Sequence, residues 1–166
     1  MLGRPRHLSG SFGLGGIGVG VSLGYFSTRP VPADDHLRLL ALVAAEANEA
    51  YDWWCESIWI ADGPDEAGNA FGFTKLFCMI DDEDTDTYMA YLDVCEIVRF
   101  LTSVAEQLGI EWRLEIEGAP FCVVSRAGPD AALKGNLSEF LDMFPGDFDA
   151  LRSRPRQEIL AEWSDR

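Results

Sequence analysis

One continuous stretch, residues 81–117, constrains the fold more than any other part of this 166-residue chain. It opens with an acidic run at 81–86, and apolar residues then recur every three or four positions over 87–108. That spacing places them on one face of a helix. Acids near its start suit the positive end of the helix dipole, and Gly109 accepts the left-handed backbone that ends many helices. The opposite, solvent-facing side is predicted to carry Asp93, Glu96, Arg99 and Glu106.

Directly after this glycine, residues 110–117 alternate strictly between apolar and charged. Successive side chains of a strand point to opposite faces of its sheet. The alternation therefore predicts a strand in a sheet with one face on a core and one face in water. The apolar set is Ile110, Trp112, Leu114 and Ile116, and the charged set is Glu111, Arg113, Glu115 and Glu117.

The remaining segments complete an α+β pattern. Alternation at 17–26 predicts a first strand, 34–54 a well-covered helix, 56–61 a short strand and 71–80 its antiparallel return. With the helix and strand above, the order is β-α-β-β-α-β, which predicts a ferredoxin-like antiparallel sheet with both helices on one face. We expect a single domain over residues 1–166. Its parts would include a loose arm at 1–11, a bend at 119–120 with a further strand at 121–124, and a helical C-terminal extension at 129–166.

The charge of the chain is strongly acidic and uneven. Twenty-eight Asp and Glu against 13 Lys and Arg give a net charge of −15. Residues 34–120 alone hold four bases and twenty acids, or 4 − 20 = −16. Such a field repels nucleic acid and anionic membranes and favours a basic protein partner. A field that serves only solubility is the competing interpretation.

Cysteine and histidine usage argues against a metal centre. The four cysteines, at positions 55, 78, 95 and 122, form no CxxC pair and lie among apolar residues, so they are predicted to be buried and reduced, as in a cytoplasmic protein. With only His7 and His36 beside them, we expect no metal and no cofactor. No run is long enough to span a membrane, and the glycine-rich segment at 12–26 does not match a secretory signal.

No motif in the sequence points to catalysis. Gly13, Gly15 and Gly18 match G-x-G-x-x-G, yet the dinucleotide fingerprint needs a strand before it and a helix after it, and here a strand follows. The acidic run lacks the central glycine of a calcium loop. His36 lies in the first turn of a helix, where we expect a surface side chain rather than a base for a nucleophile. We therefore predict that the protein is not an enzyme.

Two kinds of surface are predicted to contact a partner. Trp53 and Trp54 are adjacent, so both cannot point inward from one helix, and an exposed tryptophan is a strong interface anchor. Acidic side chains supply charge complementary to a basic partner. Core packing of the tryptophans and simple solvation of the acids are the competing interpretations. The predicted contact residues are Trp53, Trp54, Asp81, Asp82, Glu83, Asp84, Asp86, Glu111, Glu115 and Glu117.

In general character the chain resembles the immunity proteins that neutralise bacterial polymorphic or contact-dependent toxins. The features that carry the resemblance are the aromatic segment at 51–60, the acidic run at 81–86 and the glutamates of 111–117. The resemblance implies a cognate toxin, often a nuclease, that is blocked by tight binding. Two other classes stay open: a small-ligand-binding domain or minor enzyme that uses Gly18, Gly20 and Gly24 as a floor, and an inhibitor that mimics DNA.

Overall fold

The computed structural model describes residues 21–47, 53, 55–76, 83–136 and 158, with the backbone alone at 83–88. A π-helical turn, Val43–Ala47, continues the first helix. The elements in chain order are β1 (Val21–Ser27), α1 (Ala33–Leu42), β2 (Phe71–Leu76), α2 (Glu83–Leu108), β3 (Trp112–Ile116), β4 (Ala119–Ser125), β5 (Gly128–Pro129) and α3 (Ala131–Asn136).

The five strands form one antiparallel sheet in the order β2-β1-β3-β4-β5. β1 lies inside it, because Leu23 pairs with Thr74 of β2 on one side and with Ile116 of β3 on the other. Since β2 and β3 are both antiparallel to β1, they run parallel to each other, and α2 connects them. β1 is thus inserted into a split β-α-β unit. The structure confirms the predicted α+β class.

The ferredoxin-like strand order is not confirmed. The segment predicted as a strand at 56–61 forms a single bridge, between Ile60 and Gly72, at the outer edge of β2. Its backbone at Trp59 bonds to a side chain: the Tyr25 hydroxyl accepts from Trp59 N at 2.9 Å and donates to Trp59 O at 2.7 Å. The sheet extends on its other side, through β4 and β5.

One face of the sheet carries the hydrophobic core. Tyr25, Trp112 and Leu114 are completely buried on this face. Leu39 of α1 and Leu76 of β2 belong to the same core cluster. Because α1 and α2 bury their apolar sides in one cluster, they form a single helical layer over the sheet. The α2 members are Ala90, Val94, Ile97, Val98, Phe100, Leu101 and Val104.

α2 begins earlier than the apolar spacing predicts. Its first residue is Glu83, so Asp84 and Asp86 lie inside its first turn rather than ahead of the helix. Acidic residues remain favourable there, since the unpaired N–H groups of a first turn carry partial positive charge. Asp81 and Asp82 lie outside the described residues.

The solvent-facing side predicted for α2 is wrong at Asp93 and Glu96, which are 0% and 4% exposed. Cys55 N donates to the Asp93 carboxylate at 2.7 Å, so the segment that approaches β2 covers this side of the helix. Glu96 forms an ion pair with Arg99, and the hydrogen bond between them raises the pKa of the guanidinium. Buried carboxylates persist only where such donors replace water.

A tight turn at Glu117 and Gly118 joins β3 to β4. Both residues have positive φ, 50° and 78°, as the favoured two-residue hairpin turn requires. The strand predicted to reach Glu117 therefore ends at Ile116. Ala119, predicted to lie in a bend, is the first residue of β4.

α1 departs from two expectations. His36, predicted at the surface, is 4% exposed, and its Nε2 lies 3.0 Å from Ala61 O. That contact ties α1 to the loop before β2, which covers the imidazole. Leu37 is 65% exposed, although the sequence predicts a well-covered helix.

The predicted C-terminal extension is described only in part. α3 provides a helix of six residues after β5, and Glu158 is also helical. The rest of 129–166 after Asn136 and the loose arm predicted at 1–11 lie outside the described residues.

Candidate functional site

The side of the sheet opposite the core is the candidate site, and we call it the open face. Side chains alternate along a strand, so the residues between the buried ones point to this side. Each member is half-buried or exposed within the described part of the chain. In register across β2, β1 and β3, the members are Phe71, Phe26 and Arg113, then Phe73, Gly24 and Glu115, then Lys75 and Ser22.

The main feature of the open face is a pair of exposed aromatic rings, Trp59 and Phe73. The two residues are 45% and 42% exposed. Their ring centroids lie 5.0 Å apart and their planes are tilted by 58°, which is the spacing of a favourable aromatic contact. Among the described residues, one other large apolar side chain is strongly exposed, that of Leu37, and it lies on the helical side of the molecule. The paired rings are therefore a local feature of this face.

Tyr25 fixes Trp59 in place from the buried side of the sheet. Besides its two bonds to the Trp59 backbone, the Tyr25 hydroxyl lies 3.2 Å from Thr74 Oγ1. Burial raises the pKa of this phenol well above its usual range, so it stays protonated. Gly72 allows the close approach, because a Cβ there would lie 2.0 Å from Trp59 O. Residues on the core side thus hold the backbone of Trp59, from which the exposed indole projects.

A second ring, Phe26, lies over the bare backbone of Gly24. A Cβ built on Gly24 would meet Phe26 Cε2 at 2.9 Å. The guanidinium carbon of Arg113 lies 5.4 Å from the Phe26 ring centroid, and Arg113 Nε lies 2.8 Å from Glu115 Oε1. The open face therefore already holds one guanidinium, with an aromatic ring beneath it and a carboxylate beside it.

Phe26 also bears on the predicted glycine floor, Gly18, Gly20 and Gly24. Gly24 is the described member of this set, and the space that its missing side chain leaves is occupied by the Phe26 ring. The glycine serves local packing here. Gly18 and Gly20, the other predicted floor residues, lie outside the described residues.

The three predicted glutamates do not share one strand face. Glu115 lies within β3, on the open face, and pairs with Arg113. Glu111 precedes the strand, and its carboxylate accepts from Thr28 Oγ1 at 3.2 Å. Glu117 lies in the turn, where its carboxylate accepts a hydrogen bond from Ser22 N. Glu111 and Glu117 thus mark the two ends of β3, with Glu115 between them.

The predicted tryptophans and the acidic run are only partly described. Trp53 is half-buried against the core, and its indole N–H donates to Ala47 O at 3.0 Å. Trp54 lies outside the described residues, as do Asp81 and Asp82, and the side chains of the acids in the first turn of α2 are not described. Partner contact by these residues stays a prediction.

The two most exposed aromatic residues of the described part of the chain, Trp59 and Phe73, were not among the predicted contact residues. Trp59 is flanked by Ile58 and Ile60, and the alternation correctly separates it from them, but alternation alone does not say which side is covered. Phe73 belongs to the segment FGFTKL at Phe71–Leu76, in which both faces carry apolar residues. The useful signal is Lys75, because a lysine two positions from Phe73 marks the solvent side of that strand.

The open face offers groups suited to non-covalent binding. Rings offer apolar area and a cation-binding surface, and Glu115 offers a carboxylate. Within the described residues, no group of three or more His, Cys, Asp or Glu could hold a metal ion. Burial raises the pKa of the Cys95 and Cys122 thiols to about 12, which suppresses the thiolate form that a nucleophile requires.

No protein-family model, no curated protein and no solved structure matches this chain. What the fold and the site define is a class: an α+β protein with helices over one face of an antiparallel sheet and exposed aromatic rings on the other. In the described part of the chain, no helix combines the length and the apolar character needed to cross a bilayer.

Proposed function

We propose that this chain is a protein-binding module whose partner docks on the open face. The observation that carries the proposal is the solvent-exposed pair Trp59 and Phe73, whose tilted rings are in contact. Tryptophan and other aromatic residues dominate the binding energy of protein interfaces. A contiguous apolar patch rimmed by polar residues is also the usual mark of an interaction surface on a soluble protein.

The way the rings are held supports the same function. The Tyr25 hydroxyl bonds to both backbone groups of Trp59, and the two backbone segments are in close contact at Gly72. Binding therefore does not have to order the main chain beneath the indole. Preorganisation of this kind raises affinity because less conformational entropy is lost on association.

Charge supports a basic partner. The chain carries a net charge of −15, and Glu111, Glu115 and Glu117 are distributed along β3 beside the open face. An acidic surface accelerates encounter with a positively charged protein, and this electrostatic attraction weakens as the salt concentration rises. Together with the likeness in character to immunity proteins, this supports the more specific proposal that the partner is a toxin neutralised by tight binding.

Affinity purification with matched variants tests the docking face. The tagged protein, the double variant Trp59→Ala/Phe73→Ala and the control Leu37→Ala are each used as bait at low and high salt. We expect the wild type and Leu37→Ala to retain a stoichiometric basic partner at low salt. We expect the double variant to lose it, because both anchors are gone.

The control separates apolar exposure in general from this particular surface. Leu37 is 65% exposed but belongs to α1, on the other side of the sheet. A partner retained equally by all three baits would exclude the open face as the docking site. Thermal unfolding of each bait by circular dichroism verifies that the variants are folded before their binding is compared.

A further inference from the structure

Resting on the proposed docking face, we propose that the partner inserts an arginine whose guanidinium lies on the Trp59–Phe73 pair. The open face contains its own template for this contact. Arg113 stacks on Phe26 at 5.4 Å from the ring centroid while Glu115 holds its Nε at 2.8 Å. A ring below and a carboxylate beside form a complete guanidinium site.

The neighbouring position repeats half of that arrangement. Phe73 and Glu115 both pair with Gly24, from opposite sides of β1. Gly24 contributes no side chain at that position, and the Phe26 ring occupies the space beside it. A carboxylate has two oxygens and room for about four hydrogen bonds. Glu115 can therefore pair with Arg113 and still accept from a second guanidinium.

The aromatic pair favours arginine over lysine. A planar guanidinium stacks on a ring face and is more weakly hydrated than an ammonium group. Trp59 and Phe73 each leave nearly half of the residue accessible, and their rings are in contact at a tilt of 58°. Tryptophan is the strongest of the aromatic cation binders.

Lys75 opposes the binding of a cation at this site. It lies two positions from Phe73 on the same face and is exposed, so it repels an incoming cation. Arg113, the other base on this face, is paired with Glu115. Glu111 and Glu117, together with the net charge of −15, outweigh Lys75. Removal of the lysine charge is therefore expected to strengthen the contact.

Defined peptides test the inference on the full chain. Short homopeptides of arginine, lysine and citrulline are titrated by isothermal calorimetry, which gives an affinity for every variant. In the wild type, the indole N–H resonance of Trp59, assigned with a Trp59→Phe variant, reports whether the peptide reaches this ring. We expect the arginine peptide to bind more tightly than the lysine peptide, and the citrulline peptide not to bind. Trp59→Ala/Phe73→Ala should weaken the arginine peptide about tenfold, which corresponds to about 1.4 kcal/mol.

Matched charge variants complete the design. Glu115→Gln should weaken binding of the arginine peptide more than Glu106→Gln, which removes the same charge from an exposed site on α2. Lys75→Gln should strengthen that binding.

Equal binding of the arginine and lysine peptides, or no loss in the double aromatic variant, would overturn the inference. If the natural partner still requires Trp59 and Phe73 in that case, the docking face stands and only the arginine contact fails. If neither partner nor peptide depends on them, both proposals fail.

Discussion

The two faces of the sheet are built from alternate residues of the same strands, yet they meet opposite surroundings. On the helical side, Tyr25, Trp112 and Leu114 are completely buried. On the open face, Phe73 and Arg113 from the same sheet remain strongly exposed. Both faces carry aromatic rings, so hydrophobicity alone does not distinguish them. The difference lies in what covers each face, and aromatic rings left accessible are available for a partner.

Removal of a large side chain from each face gives the largest expected contrast. Leu114→Ala deletes packing atoms from the core cluster and should lower the free energy of unfolding by about 2–5 kcal/mol. Phe73→Ala removes a larger side chain from the open face and should cost less than about 1 kcal/mol. Urea denaturation measures both values. Similar losses would mean that the open face is covered to the same extent as the core.

Two glycines, one for each face, sharpen the comparison. Gly72→Ala places a Cβ 2.0 Å from a backbone oxygen, so the chain must move, and we expect a loss of about 1–3 kcal/mol. Gly24→Ala meets only the far edge of the Phe26 ring at 2.9 Å, and that side chain can turn away. Its expected effect stays within about 1 kcal/mol of wild type. The same denaturation assay ranks the pair, and a Gly24→Ala loss as large as that of Gly72→Ala would contradict it.

A single atom, the hydroxyl oxygen of Tyr25, connects the core side of the sheet to Trp59, and one substitution removes it. Tyr25→Phe removes the hydroxyl that bonds to the Trp59 backbone and leaves buried polar groups without it, at an expected cost of about 1–3 kcal/mol. It should also speed hydrogen exchange at the Trp59 amide, because the acceptor at 2.9 Å is lost. Thr74→Val is the matched control, since it deletes the contact at 3.2 Å and keeps the bonds to Trp59. Unchanged exchange in Tyr25→Phe would show that the indole is positioned by other contacts.

The smallest effect at neutral pH concerns the thiols on the core side. Burial raises the pKa of Cys95 and Cys122 to about 12, so at about pH 8 only roughly one thiol in 10⁴ is ionised. Iodoacetamide should label them slowly until the protein unfolds, as peptide mass spectrometry can record. The unfolded thiols ionise near pH 8.5, so the unfolded state binds fewer protons above that pH and stability should fall as pH rises from about 8.5 towards 12. Rapid labelling of both thiols in the folded protein would contradict this burial.

Local patterns in the sequence predicted the elements of the fold well. Apolar spacing located α2, and strict alternation located β3, because both signals depend only on neighbouring residues. The pairing of β1 with β2 and β3 depends on which distant edges meet, and no local pattern encodes it. For the same reason the spacing predicted Asp93 and Glu96 at the surface: a helix pattern does not show that another segment crosses its polar side.

For the candidate site too, local patterns predicted what depends on neighbouring residues and missed what depends on tertiary contacts. Charge alternation correctly placed Arg113 and Glu115 away from the core. The sequence predicted an exposed anchor at one of Trp53 and Trp54. Trp53 is half-buried, Trp54 lies outside the described residues, and Trp59 is exposed. What distinguishes Trp59 is a tertiary contact, the hydroxyl of Tyr25 from a strand far away in the chain. Such a contact becomes visible only when the strands are assembled.

The position of β1 inside the sheet has a consequence for the time course of folding. Leu23 pairs with Thr74 and with Ile116, which are 51 and 93 residues further along the chain. Pairings over such distances require long loops to close first, and they slow folding. During synthesis β1 emerges well before β3, so one of its edges stays unpaired until all of α2 and then β3 have left the ribosome. The nascent chain is therefore expected to expose an aggregation-prone strand edge, and co-translational chaperone contact would fall on β1.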